Sequence, residues 1–503
     1  MAVGIDGPAD AGISSLPPQC TPTAAGSVRC RVENVAAGGS NKLTMQLVAP
    51  PHFDGSNVTF HAWVSSGATM VQTSITAPAY RTFLVTSTAN DGAGSLRQAI
   101  QDLNAACTTD PCLIGFRIEE PSPTTWKTIR ITSTLPTVTA GNYVVDGSWQ
   151  TETVGDTNAD GPEIEISGGG TTPGDGLTVG AGCRGEVSHL AINGFRGNGV
   201  SVIGTRFPCN RDARAAFDTE LHDLFIGTDP TGSAAKPNAL RGIGTTFGVG
   251  VPFFPAPAAL IDHCVLSGNT RSGIFVLDGF VSISENRIGL KAHSDEPLPN
   301  GGSGIYLGAS SVLLSETASI TSNVIAYNRQ FGIAINPTAV SSFSANRIWG
   351  NSNVAIDYGL DNDSTPVNTG PYGGRMPSPF ITSARYDSAS AQTIVSGFVW
   401  IPPSGGPGAA ESPYLEFFAS DTGGFQGMGE AQRYIGGHRV PGEIAADSFP
   451  GLFRFEFTVS LSGEFTGEWL TATATRVEHA SISGVPSTGF MTTELSPPVK
   501  VLR

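Results

Sequence analysis

Charged side chains are scarce in this chain: Asp, Glu, Lys and Arg make up 14% of its 503 residues, against roughly a quarter in an ordinary soluble domain. That excludes a coiled coil or a helical bundle. Basic residues are the scarcer sign. With 28 Lys and Arg against 43 Asp and Glu, the formal charge is −15, which excludes a general nucleic-acid binder needing clustered cations and disfavours polyanionic partners. No run of 18 apolar residues occurs, so no membrane-spanning helix is encoded. The opening MAVGIDGPADAG lacks the basic and apolar stretches of a secretory leader, and Met1 is read as the edge of a larger chain. No Cys or His cluster has zinc-ligand spacing, and no Gly-x-Ser-x-Gly elbow exposes a nucleophilic serine.

Glycine and proline are what the chain has instead, 63 and 35 residues respectively. The glycines show no period of three, which excludes collagen, and a hydrophobic content of 39% is enough to fill a core. The length fits about three units. Seven cysteines fall into the local pairs Cys20/Cys30, Cys107/Cys112 and Cys183/Cys209, leaving Cys264 as a small core residue. Short-range disulfides place the protein in an oxidising compartment, extracellular or on a bacterial cell surface.

Three all-β units are expected. Residues 1–80 carry short alternating stretches between Gly, Pro and Asn turns, the pattern of a β-sandwich. Their N-terminal part is short, and a missing first strand is expected to leave an open sheet edge. At Phe83 the pattern changes to one strand followed by Ser95 with Gln98, a capping box, and the apolar stripe Leu96, Ala99, Ile100, Leu103. One short helix ahead of many strands is expected to lid a stack. Related phrases then recur from His189, His263, Asn286, Asn323 and Asn346, each a short apolar strand, an Asn or Gly corner and another strand. Asn323 to Asn346 is 23 residues and Cys264 to Asn286 is 22, while Asn286 to Asn323 is 37, one coil with an inserted loop. Such a period signals a solenoid, right-handed by the rule for parallel crossovers. The asparagines are expected to adopt left-handed backbone at the corners and to ladder their amides between coils. Residues 81–365 are assigned to this helix and 366–503 to a linker and a second sandwich, in which Phe453, Phe455, Phe457 and Val459 alternate with polar residues.

These motifs carry a resemblance. LPPQCTPTAAGSVRCRVENVAAGGSNKLTMQLVAPP resembles the Ig-like conserved repeat, domain of unknown function 11, of bacterial surface proteins, where two cysteines staple neighbouring strands. SLRQAI, VVDGSWQT, FIGTDPTGSA and NGGSGIYL resemble bacterial secreted proteins with right-handed parallel β-helix repeats. The resemblance spans residues 82–365 and extends into the C-terminal sandwich. It implies a secreted or cell-surface protein.

Candidate chemistry is sparse. In the repeats Arg287 and Arg347 share one slot of the NRI phrase, and with Asp357 they are the groups a polysaccharide lyase or hydrolase would use. Otherwise they are solvated surface residues. Tyr306, Tyr327, Phe331, Trp349 and Tyr358 decorate successive coils, and Tyr306, Tyr327, Trp349 and Tyr358 are the candidate ligand-binding rings if not core. Asp156, Asn158 and Asp160, with Gly161 and Glu163, match the first half of a calcium loop, although Ser167 stands where its closing Glu belongs. A turn bonding its own backbone makes the same pattern. No cofactor is required beyond a structural calcium at that loop. His222 with Asp223, and Asp262 with His263, are sequence neighbours expected to face opposite sides of a strand. The expected function is non-catalytic: adhesion, surface structure or glycan binding, with a glycan or cell-surface component as partner. A carbohydrate-active enzyme and a filament subunit self-assembling through sandwich edges are the alternatives.

Overall fold

The computed structural model describes residues 80–503 apart from 108–110, 182–183, 205–218, 247–257, 278, 309–315, 337–339, 360–377, 402–411, 441–443, 446–452 and 483–484. Before residue 80 it describes the strands 2–6, 12–15, 20–24, 27–31, 46–48, 57–66 and 69–78.

Short apolar strands separated by Gly and Asn corners wind into coils. One coil runs through Ala258–Asp262, Val265–Leu266 and Ile274–Val276, and the next begins at Phe280–Ser284. Stacked coils make three parallel sheets. Sheet I has nine strands, from Arg81–Val85 to Val340–Ser344; sheet II has eight, from Lys127–Arg130 to Arg347–Trp349; sheet III has seven, from Leu177–Ala181 to Ile356–Tyr358. Inward side chains stack on their own kind. Ile243, Ile274, Ile305 and Ile333 are vertical neighbours in sheet III, as are Ile261, Ile283 and Ile320 in sheet I, all excluded from solvent. Each such side chain contributes about 1.5–3 kcal/mol of burial, and β-branching suits the pleat.

The corners decide the register. Between sheets I and II, Asn286 donates from Nδ2 to Oδ1 of Asn323 at 2.9 Å, and Asn323 does the same to Asn346 at 2.9 Å. A second ladder between sheets II and III runs Asn238, Asn269, Asn300, Asn328, Asn351, each amide donating to the next at 2.9–3.1 Å. The amide ladder expected from sequence is therefore present, and the 22-, 37- and 23-residue spacings are the vertical contacts Cys264–Asn286, Asn286–Asn323 and Asn323–Asn346. The left-handed backbone sits elsewhere. It falls on the residue before each first-corner position: His189, Asp223, His263, Glu285, Ser322 and Ala345, with φ between 52° and 59°. The asparagines keep ordinary backbone because their side chains must point inward to ladder.

Both ends are covered. The helix α1, Leu96–Ala106, caps the first coil with Leu96, Ala99, Ile100 and Leu103 buried, and Ser95 Oγ accepts from Gln98 N at 3.2 Å. The Gln98 side chain turns to Asp102 instead, so only half of the capping box forms. A second helix, α2, Ser148–Val154, was not anticipated; it is a one-coil insertion started by Asp146, whose carboxylate receives Ser148 N and Oγ. At the other end Phe418, Ala431 and Leu495 complete the β-helix core. Phe418 lies on a strand and Ala431 and Leu495 on connections of the C-terminal unit, whose two antiparallel sheets in residues 380–500 pack around Val395, Val399, Phe417, Phe455, Phe457 and Leu470. Residues 2–78 form antiparallel strands ordered 20–24, 27–31, 2–6, 57–66, 69–78, with a separate pair 12–15 and 46–48. The strand 2–6 is central in that sheet, paired with 27–31 and 57–66. Disulfides join Cys20–Cys30 and Cys107–Cys112, and Cys264 is buried as a free thiol. Cys183 and Cys209 lie outside the described residues, as does most of the expected linker.

Candidate functional site

Arg287 and Arg347 do project outward from like positions, two coils apart in sheet II. They converge on Asp295, at 3.0 and 3.5 Å. Arg287 also holds Lys291 O and Ser294 O, and Arg347 donates to Gln432 O of the C-terminal sheets. Both are clamps on a loop and a neighbouring module. Asp357 stands on sheet III, fully buried. The three do not meet, which corrects the expectation of a lyase or hydrolase trio.

The candidate rings separate in the same way. Tyr358 is inside, its hydroxyl donating to Thr492 O at 3.0 Å. Trp349 is buried and donates to the Tyr327 hydroxyl at 3.3 Å, the two rings packed edge to face. Only Tyr306 stands on an open face. It stacks on Phe275 with centroids 5.2 Å apart and planes at 18°, and the Arg241 guanidinium lies 3.7 Å from the Phe275 ring centre. Register produces this row: Ser201, Gly244, Phe275 and Tyr306 are outward vertical neighbours on sheet III. Above the rings Asp175 accepts from Asn198 N at 2.6 Å and from Ser201 Oγ at 2.8 Å, and the Asn198 amide lies over Gly244. Carboxylate, amide, guanidinium and two rings thus line successive coils roughly 4.8 Å apart. Burial and the neighbouring Arg271 lower the Arg241 pKa.

The calcium loop is a turn that bonds itself. Asn158 is buried, its Nδ2 donating to Pro162 O and Pro230 O, and Gly161 N bonds Asn158 O. Glu163 accepts from Thr151 Oγ1. Glu165 is held by Lys236, Thr128, Asn193 and Trp126. Asp156 and Asp160 are exposed. Among the described residues no three His, Cys, Asp or Glu side chains gather as metal ligands.

The corner between sheets I and II carries an unanticipated cluster. His189 Nδ1 bonds Asp146 at 3.1 Å; His222 bonds Asp223 at 2.9 Å and Glu186 at 3.3 Å; His263 bonds Asp262 at 2.9 Å and Glu285 at 3.0 Å. His189 and His222 also meet edge to face. The expectation that His222/Asp223 and Asp262/His263 diverge is wrong, because Asp223 and His263 sit at left-handed corners where strand alternation ends. Hydrogen bonds that His222 donates to Asp223 and Glu186 push its pKa up to about 10. Asp146 raises that of His189, and Asp262 that of His263. At neutral pH His222 is held as a cation, and a group near 10 is poorly matched to general-base work. The signal was available: aligning SH-LAING, HD-LFIG, DH-CVLSG and SE-NRIG puts His189, Asp223, His263 and Glu285 in one column.

Residues 248–369 match the family described as the right handed beta helix region. No curated protein matches the sequence. Among solved structures, the tailspike protein gp49 of Acinetobacter baumannii bacteriophage Fri1, a capsular polysaccharide depolymerase, is 9% identical, with 88% of this chain and 92% of that chain covered and a TM-score of 0.25. The Dettilon tailspike protein gp208 is 11% identical, covering 76% of this chain and 94% of its own, with a TM-score of 0.17. Tailspike protein 2 of Escherichia coli O157:H7 bacteriophage CAB120 is 9% identical, covering 84% and 69%, with a TM-score of 0.21. Likenesses this distant carry no functional argument. The matched family and the three stacked parallel sheets together make this chain a right-handed parallel β-helix protein.

Proposed function

We propose that the chain is a non-catalytic, extracellular or cell-surface glycan-binding protein that holds its ligand on the outer face of sheet III. The observation that carries this is the row Asp175, Asn198, Arg241, Phe275, Tyr306, in which polar groups and stacked rings repeat at coil spacing. Aromatic faces take the apolar side of a pyranose while amide, carboxylate and guanidinium groups pair with hydroxyls. The disulfides support an oxidising location. A glycan array probed with the intact protein tests the reading. Binding is expected to fall at least about tenfold in Phe275→Ala and Tyr306→Ala, a loss of the size aromatic contacts carry. An array with no hits, or hits indifferent to both variants, contradicts it.

A second reading, a carbohydrate-active enzyme, is favoured by one observation, the acid–base groups along the sheet I corner. Release of reducing or 4,5-unsaturated ends from a glycan panel, abolished by His263→Ala, supports it. A panel left intact removes it.

A further inference from the structure

We propose that the cleft between the last two coils and the C-terminal sheets binds a single uronic-acid residue, a pyranose carrying one carboxylate. This is a second sugar site, apart from the sheet III row.

The cleft encloses about 290 Å³, the lower end of small-molecule pockets, and so takes one sugar rather than a chain. One wall is the outer face of sheet I. There Ser319 and Thr321 stand on one coil and Ser342 and Ser344 on the next, in register. Hydroxyls lie roughly 4.8 Å apart from coil to coil and about 6.8 Å apart along a strand. A hydroxyl can both donate and accept, as ring hydroxyls require, although that of Ser344 already donates to Glu416.

The opposite wall comes from Tyr414–Ser420, Arg433–Arg439 and Trp469–Ile482, which present Tyr414, Arg439 and Arg476 to the cleft. Guanidinium groups donate only, in a planar fork that fits a carboxylate and not a neutral hydroxyl pair. Arg439 is exposed and has no ion-pair partner among the described residues. Tyr414 is 40% exposed and offers a ring face.

Glu416 does not oppose the anion. It is 3% exposed, and its carboxylate accepts from Ser344 Oγ at 2.8 Å and Ala345 N at 3.0 Å, which ties the two walls together. Burial raises its pKa against the lowering effect of those two hydrogen bonds. The chain's −15 charge repels a long polyanion, whereas one carboxylate facing the exposed Arg439 meets a local positive charge. A lone uronate therefore fits where a polyuronate does not.

Titration calorimetry of the intact protein tests this with methyl glucuronide, methyl galacturonide, methyl glucoside and gluconate as probes. At least one uronide is expected to saturate, with the neutral glucoside and the open-chain gluconate weaker by about tenfold or more. Arg439→Ala is expected to lower uronide affinity by a similar factor, and Arg439→Lys to restore only part, because the ammonium cannot make the bidentate pair. Arg439 is at the surface, and an unchanged thermal melt confirms the variant is folded. Equal binding of glucoside or gluconate, an unaffected Arg439→Ala, or no saturation by either uronide overturns the proposal. A glycan whose binding is lost in Phe275→Ala, with no uronide saturating, overturns it and leaves the glycan-binding reading standing.

Discussion

Replacing Asn323 by Ala tests whether the amide ladder fixes the coils. The side chain is fully buried. Its Nδ2 donates to Asn346 Oδ1 at 2.9 Å and to Ile283 O at 2.8 Å, and its Oδ1 accepts from Asn286 N at 3.0 Å and Asn286 Nδ2 at 2.9 Å. Truncation leaves at least one buried donor, Asn286 N, and one acceptor, Ile283 O, short of a partner, in a cavity without room for the neighbouring coil to collapse. At about 1–3 kcal/mol for each unsatisfied group, the loss is about 4 kcal/mol. Half-buried Asn353 is the control, and Asn353→Ala is expected to stay within about 0.5 kcal/mol. Urea unfolding followed by circular dichroism reads the total. A solenoid can open in segments, so amide exchange at residues 286, 323 and 346 reads the local effect. A loss under about 1 kcal/mol in Asn323→Ala, with unchanged exchange at those amides, refutes the reasoning.

The His222 cluster gives a pH dependence with a defined sign. Its pKa rises from about 6.5 in the unfolded chain to about 10, so its stabilisation is complete below pH 6.5 and is lost as pH climbs toward 10. After discounting for its partly exposed, coupled partners, stability should fall by about 1–3 kcal/mol between pH 6.5 and 9, and His222→Gln should flatten that slope in urea titrations. Asp146 and Asp223 are held below their ordinary values by His189, Ser148 and His222, so the opposite loss is expected as pH falls below about 4. At the 156–163 turn Asn158 and Glu163 are already bonded to protein, and the melting temperature is expected to be the same in excess EDTA and in millimolar calcium. A rise of several degrees with calcium would instead revive the metal loop.

The coils were legible because their signal is local and repeated: apolar strands, corner residues and a spacing in the low twenties. The lid was legible for the same reason, one amphipathic stripe behind Ser95. Asparagine laddering followed from chemistry, but its backbone partner did not, since the left-handed residue is the one before it and can be His, Asp, Glu, Ser or Ala. That shift hid the His189–His222–His263 cluster, because alternation was applied across a corner. Arg287 and Arg347 were rightly paired, yet their shared partner Asp295 comes from an inserted loop that the repeat does not encode. Phe275 escaped notice beside Tyr306 because stacking depends on register, which only the coil count reveals. The cleft joins Ser319 to Arg476, and no spacing argument reaches that far.

Vertical stacking is tested most directly by distances along one outward column of sheet I. Glu186, Glu220, Leu260, Ser282, Ser319 and Ser342 occupy successive coils in register. Paired spin labels at 220/319, 186/319 and 186/342 are separated by three, four and five coils, and pulsed dipolar spectroscopy should give backbone separations of about 14, 19 and 24 Å. A constant step of roughly 4.8 Å per coil is the predicted result. Distances that fail to grow coil by coil would contradict the stack, and with it every site assembled from it.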